Sequence, residues 1–185
     1  DYKMSGNWKS QTNFSYSGTN SDGPSTYMNL LTGNQRITRN TSIIEYSKNA
    51  MTDLQQNFTG DFRTGSLRHR LLIGLDYYHT ESRSSSAGIV FDTLNTPNVG
   101  AAYTKLTRTA LYAAFANVAF TKTSTSQDTY SAYVQEVLTI IDGLDALASV
   151  RVDRFENKGT FNLTTRVTAG KYGQTAFSPK FGLVY

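Results

Sequence analysis

The chain has 185 residues, a net charge of +4, 17% charged residues and no cysteine. That length allows one domain or two small ones. The missing thiols exclude a disulfide frame and a thiolate zinc site, and the scattered Lys and Arg do not make the clustered patch of a nucleic-acid groove. Polarity comes instead from 25 Thr, 18 Ser and 13 Asn, accompanied by 12 Tyr and 10 Phe. Such a mixture suits pleated strands. No run reaches the roughly 20 apolar residues of a membrane helix. The sequence opens at "DYKMSGN" without the pattern of a secretory leader, as a mature protein or an excised piece would.

Taken in chain order, the dominant signal is a period of two. After the turn signal Ser5-Gly6-Asn7, "NWKSQTNFSYS" sets Trp8, Phe14 and Tyr16 against Lys9, Gln11 and Asn13. A polar link follows at 19–36. In "AMTDLQQNFTGDF", Leu54, Phe58 and Phe62 alternate with Asp53, Gln55, Asn57 and Asp61. The turn "RTGS" leads into "LRHRLLIGLDYY", where Leu67, Leu71, Ile73, Leu75 and Tyr77 oppose Arg68, Arg70 and Asp76. A second polar link covers 81–117 and contains "SRSSSAG", the simplest reading of which is a loop. In "YSAYVQEVLTII" both parities carry apolar residues. A charge facing lipid is costly, so Glu136 is expected on the polar side, with Tyr133, Val137 and Ile141 facing out. After the turn "DGLD", Ala148, Val150 and Val152 oppose Arg151 and Asp153. A third polar link spans 158–172, and "AFSPKFGLVY" sets Phe177, Phe181, Leu183 and Tyr185 against Ser178, Lys180 and Gly182.

Short turns therefore alternate with long links, which places all tight turns at one end of the strands. A soluble antiparallel sandwich also alternates, and a soluble carbohydrate-binding sandwich is one reading. It does not require the loop asymmetry or the aromatic strand ends. A transmembrane β-barrel explains all three, with short periplasmic turns, long outer loops, aromatic girdles and a polar lumen.

Three segments carry a resemblance. "DLQQNFTGDFRTGSLRHRLLIGLDYYHTES", "YSAYVQEVLTIIDGLDALASVRVDRFEN" and "SPKFGLVY" occur in this order over residues 53 to 185. They resemble successive barrel strands of the TonB-dependent siderophore receptors. Glu136 stands where Asp is usual in that family, Ser149 where Gly is usual, and Val152 replaces a common aromatic. The resemblance implies a 22-stranded barrel plugged by an N-terminal domain, in the outer membrane of a Gram-negative bacterium. This chain holds about seven crossings, the first partial, so it reads as an all-β, antiparallel middle arc of such a barrel, without plug. The alternatives are a passive porin or a complete eight-stranded barrel, since "FSPKFGLVY" also has the alternation of a closing strand.

The implied activity is uptake of ferric siderophores, with outer-membrane lipid, the plug and the TonB system as partners of the full-length protein. Nothing points to an enzyme: serines are abundant but no G-x-S-x-G occurs, and Asp142 and Asp145 sit in a turn. No metal site or cofactor is expected, because His69 and His79 lie ten residues apart on one face, about 33 Å along a strand. His69 reads as an interfacial ring at the periplasmic end. Arg151 and Asp153 either hydrate the lumen or touch the plug or a neighbouring strand. Ligand contact is expected at the outer strand ends and long links, on rings that pack against a chelate and guanidinium groups that pair with its oxygens. The candidates are Tyr78, inward by its parity with Asp76, then Arg83, Tyr103, Arg108 and Tyr112 in the long link, and Tyr130 on the strand leaving it.

Overall fold

The structure, a computed structural model, describes residues 1–31, 33, 35–95 and 105–185. It is one open antiparallel sheet. In chain order the strands are β1 (Tyr2–Ser5), β2 (Trp8–Leu30), β3 (Arg36–Thr64), β4 (Leu67–Asn95), β5 (Thr121–Ile141), β6 (Leu144–Asn162), β7 (Val167–Ala169) and β8 (Tyr172–Val184). Each strand pairs with the next, except that β7 and β8 both pair with β6. The crossings number seven when β7 is counted as a fragment beside the top of β6, and β1 is the partial one.

The three glycine-bearing turns expected from sequence join β1 to β2, β3 to β4 and β5 to β6 at one end. Gly65 and Gly143 adopt φ of 61° and 86° there, a conformation that side chains resist and tight hairpins need. The far ends differ from expectation. Much of the polar links at 19–36 and 158–172 and the first part of 81–117 are strand: β2 runs to Leu30, β4 to Asn95 and β6 to Asn162. Ser82 to Gly88 lies within β4, paired with β3. Ser82 to Ser86 is polar on both sides and so carries no two-residue period, yet a long ladder still satisfies its backbone groups.

Part of the second link does fold back. The helix α1 (Arg108–Ala114) starts at Thr107, whose hydroxyl accepts from the Ala110 amide at 3.1 Å, an N-cap arrangement. Leu111 and Phe115, four apart, bury one side of it against Ile43, with Ala87 and Ile89 packed around. This strap covers the β3–β4 ladder beyond the end of β5.

Register sorts the side chains into two faces, because directly paired residues share a side. One row reads Phe58, Ile73, Val134, Val150 and Pro179 across β3, β4, β5, β6 and β8. The next row toward the open ends reads Gln56, Leu75, Ala132, Val152 and Phe177. This apolar face stays exposed: Ile73 is 40% accessible, Leu75 57% and Phe181 79%. Continuous rows of large exposed hydrophobics are the pattern of a strand face that is covered by something other than water. The other face carries Asp61 and Arg70, then Gln55, Asp76, Ser131 and Asp153.

One strand is out of phase with expectation. On β5, Tyr130, Ala132, Val134 and Leu138 lie on the apolar face and Tyr133 and Val137 on the polar one. Glu136 is on the apolar face, paired with Leu71. Its carboxylate lies 2.5 Å from His69 Nδ1, near the turn end of the strands. There the cost of a charge is ~0–1 kcal/mol, so a neighbouring strand's histidine suffices.

Rings bracket the apolar rows. Near the turns, Trp8, Phe62 and His69 stack in series, with centroids 6.1 and 5.0 Å apart. At the other limit Tyr77 and Tyr130 lie 5.2 Å apart. Such rings belong at membrane–water boundaries. Across the sheet the upper rings form a staircase: Tyr16 lies one same-face step above the Tyr77–Tyr130 row, and Phe177 one step below it.

The sheet has open edges. β1 pairs only with the start of β2, and β8 pairs only with β6. Expressed alone, these 185 residues are expected to aggregate or to need denaturant, since unpaired edges are not tolerated in a bilayer. A heat-modifiable, protease-resistant monomer in detergent would overturn that expectation.

Candidate functional site

The polar face is built as a ladder. Nearest the turns, Arg68 donates to Asp61 at 2.6 Å, and Arg70 donates to Asp145 at 2.6 Å. Above them, the Tyr133 hydroxyl donates to Asn57 at 2.5 Å and accepts from Gln55 at 3.1 Å. The Tyr133 ring lies flat over Gly74, where a Cβ would come within 2.1 Å of it. The Arg151 guanidinium sits 5.2 Å from the same ring centroid. It donates to Asp153 at 2.7 Å, to Ser131 at 2.9 Å and to Asp76 at 3.2 Å. Four strands thus meet in one hydrogen-bonded cluster, which turns a polar wall into a fixed surface. Of the roles the sequence left open for Arg151 and Asp153, contact with neighbouring strands is present.

Further toward the open ends, this face holds a groove of about 350 Å³ around Tyr78. Tyr78 pairs with Asp53 and Thr129, on the side of Asp76, as its parity implied. Its hydroxyl donates to Met51 Sδ at 3.1 Å, and 38% of the residue remains accessible. Ser17, Thr19, Asn49, Thr80, Ser82, Thr125 and Gln127 complete the lining from this face. They offer hydroxyls and amides for stacking and hydrogen bonding, and the nearby charges are carboxylates, Glu81 in the lining and Asp53 directly across from Tyr78. Sequence reasoning missed these partners of Tyr78. They lie in unpatterned polar stretches, and only the strand register unites them.

The other candidates stand elsewhere. Tyr130 packs against Tyr77 on the apolar face, the rings tilted by 32°. Arg83 is also on that face, opposite Lys48 and Ser124, with its Nε donating to Glu81 at 2.6 Å. Arg108 and Tyr112 sit together on α1, the guanidinium 5.6 Å from the ring centroid. Tyr103 lies outside the described residues. The five described candidates do not form one cluster, and Tyr78 is the one that opens into the polar groove.

Just above the Tyr77–Tyr130 pair, the apolar face becomes charged. Asp128 accepts from Tyr77 at 3.0 Å, and its carboxylate lies 2.7 Å from His79 Nδ1 and 3.2 Å from Lys158 Nζ. Burial pushes the Asp128 carboxyl up, but the hydrogen bonds from His79, Lys158 and Tyr77 prevail and hold it below the usual carboxylate range. Lys158 donates to Glu156 at 2.9 Å, and Glu156 and Asp128 together push its pKa up to about 12. Among the described residues no group of three ligating side chains could hold a metal ion. His69 and His79 are engaged separately, with Glu136 and Asp128.

Comparison with known proteins gives this arrangement a context. No curated protein matches the sequence. The ferric preacinetobactin receptor BauA from Acinetobacter baumannii superposes with a TM-score of 0.67 at 13% identity, covering 98% of this chain and 26% of that one. The siderophore receptor PiuA from Acinetobacter baumannii gives a TM-score of 0.56 at 15% identity, covering 97% of this chain and 27% of that one. At these identities the likeness establishes the fold, and the chain spans about a quarter of the length of each structure. The family described as TonB dependent receptor-like, beta-barrel matches residues 1–185. Two-faced strands, tight turns at one end and a match along the full sequence agree: the chain belongs to the β-barrel family of TonB-dependent receptors.

Proposed function

We propose that this chain is one arc of a receptor that takes up ferric siderophores across the outer membrane. Energy would be delivered through TonB, with a plug and the remaining strands supplied by the full-length protein. The family is one of receptors found in Gram-negative outer membranes. The names of BauA and PiuA, both siderophore receptors, support the substrate class. The observation in this chain that carries the reading is the groove at Tyr78. It opens on the polar side of the strands, beyond the apolar belt, where an incoming ligand would first meet the wall. Tyr78 supplies a half-exposed ring on which a chelate can pack, and Gln127, Thr125 and Asn49 supply groups for its oxygens. Below the groove the Arg151 cluster offers a rigid polar surface to whatever fills the lumen.

Tyr78→Ala in the full-length receptor is expected to weaken ferric siderophore binding about tenfold, as truncation of a central aromatic contact does. Tyr78→Phe should retain most of the affinity. Fluorescence titration with the ferric and iron-free siderophore reads both. Unchanged affinity for Tyr78→Ala, in a receptor that inserts normally, sinks the assignment of this groove.

A further inference from the structure

Beyond the apolar belt, charge is divided unequally between the two faces. Along Tyr78, Thr80 and Ser82 of β4, and along the residues paired with them from β2 to β8, the polar face carries no Lys or Arg. The basic side chains of the paired strands near this height, Lys48, Arg83, Arg154 and Lys158, are on the other face. The one charge on the polar side of this stretch is Asp53, directly across from Tyr78. It makes no ion pair among the described residues, and its Oδ1 has no hydrogen-bond partner. Below it, Arg151 is spent on Asp76 and Asp153. Glu81, which also reaches the lining of the Tyr78 groove, is a carboxylate held by Arg83.

We infer that the ferric complex received by this wall carries no net negative charge. The inference rests on the siderophore reading above and narrows its substrate class. An anionic chelate is held by guanidinium or ammonium groups that pair with its oxygens. On this wall it finds none, and Asp53 repels it. A neutral chelate loses nothing here: it packs on the Tyr78 ring, and its oxygens accept from the Gln127 amide and the Thr125 hydroxyl. A cationic one gains from Asp53 as well. Three hydroxamates meet the requirement, because their single negative charges cancel that of the ferric ion. Three catecholates, each doubly charged, leave a trianion.

The test is fluorescence titration of the full-length receptor with ferric complexes of one linear trihydroxamate whose free end is an ammonium, an acetamide or a succinyl carboxylate, and with a ferric tricatecholate. The ammonium-bearing complex is expected to bind about tenfold more tightly than the carboxylate-bearing one, with the acetylated complex between them and the tricatecholate weakest. In about 1 M salt the spread should shrink, since screening then acts over a few ångströms. Asp53→Asn should narrow the spread about threefold. Thr125→Lys adds a cation to the same wall and should strengthen binding of the carboxylate-bearing complex, so the test does not depend on one variant. Heat-modified gel mobility checks that each variant inserts. Equal affinities for the three trihydroxamates, or tightest binding of the tricatecholate, overturn the charge preference alone. Binding of none of the four complexes refutes the siderophore reading on which it rests.

Discussion

Ile73→Arg is expected to lower the stability of the full-length receptor in a bilayer by ~2–4 kcal/mol, the cost of a guanidinium at the midplane of a lipid-facing wall. Ile73 lies midway between His69 and Tyr77 on its strand, and its row-mates are Phe58 and Val134. The polar groups one row to either side on that face, Glu136 and Gln56, are already bonded to His69 and to Ser10. Gln135→Arg supplies the control. Gln135 is on the polar side, opposite Leu72 and Ser149 and with Arg70 and Arg151 one row to either side, where an added cation faces water and should cost within about 1 kcal/mol. Urea titration of receptor folded into lipid vesicles measures both. Equal costs, or a larger cost at Gln135, would mean that the two faces have been exchanged.

Gly74→Val is expected to cost about 3 kcal/mol, combining overpacking with the loss of hydrogen bonds. The first added carbon would lie 2.1 Å from the Tyr133 ring, far inside any allowed contact, so the ring must leave. With it go the bonds to Asn57 and Gln55 and the contact with Arg151. The cause can be isolated. In a Tyr133→Ala background the space is vacant, and Gly74→Val should cost much less than it does alone. That coupling separates a collision with one ring from a general intolerance of side chains on β4. Additive costs would refute the packing argument.

Glycine in "LLIGLD" thus has a packing reason that the sequence could not display, because Tyr133 is on another strand. Other parts of the fold were legible. Gly65 and Gly143 marked their turns, and the alternation of β4, β6 and β8 was unambiguous because one parity held the charges. β5 was not legible for the opposite reason. Both of its parities are apolar, and the deciding residue, Glu136, has its carboxylate against His69 from β4 and lies close to the turn end of the strands. The extended arms failed differently. Ser82 to Ser86 shows no period, since both sides of that segment are hydrophilic, and a search for alternation finds nothing. The helix α1 did leave signals, the Thr107 cap and the spacing of Leu111 and Phe115, hidden within a stretch that read as loop. At the candidate site, parity placed Tyr78 on the side of Asp76, while the hydroxyls and amides around it come from β2, β3 and β5 as well as its own strand.

The ring staircase has a consequence for the whole receptor. Trp8 begins β2 beside its turn, whereas the residue on the same hydrogen-bonded row of β5, Glu136, lies five residues short of Ile141. The strands are therefore offset as they proceed around the wall, and a constant offset fixes how steeply they lean and how wide a closed cylinder they can form. This arc accordingly carries its share of the shear that sets the pore diameter. Deleting one residue from β4 between Leu71 and Tyr77 would exchange inside for outside above the cut. It would also change the circumference at which the first and last strands of the complete barrel meet.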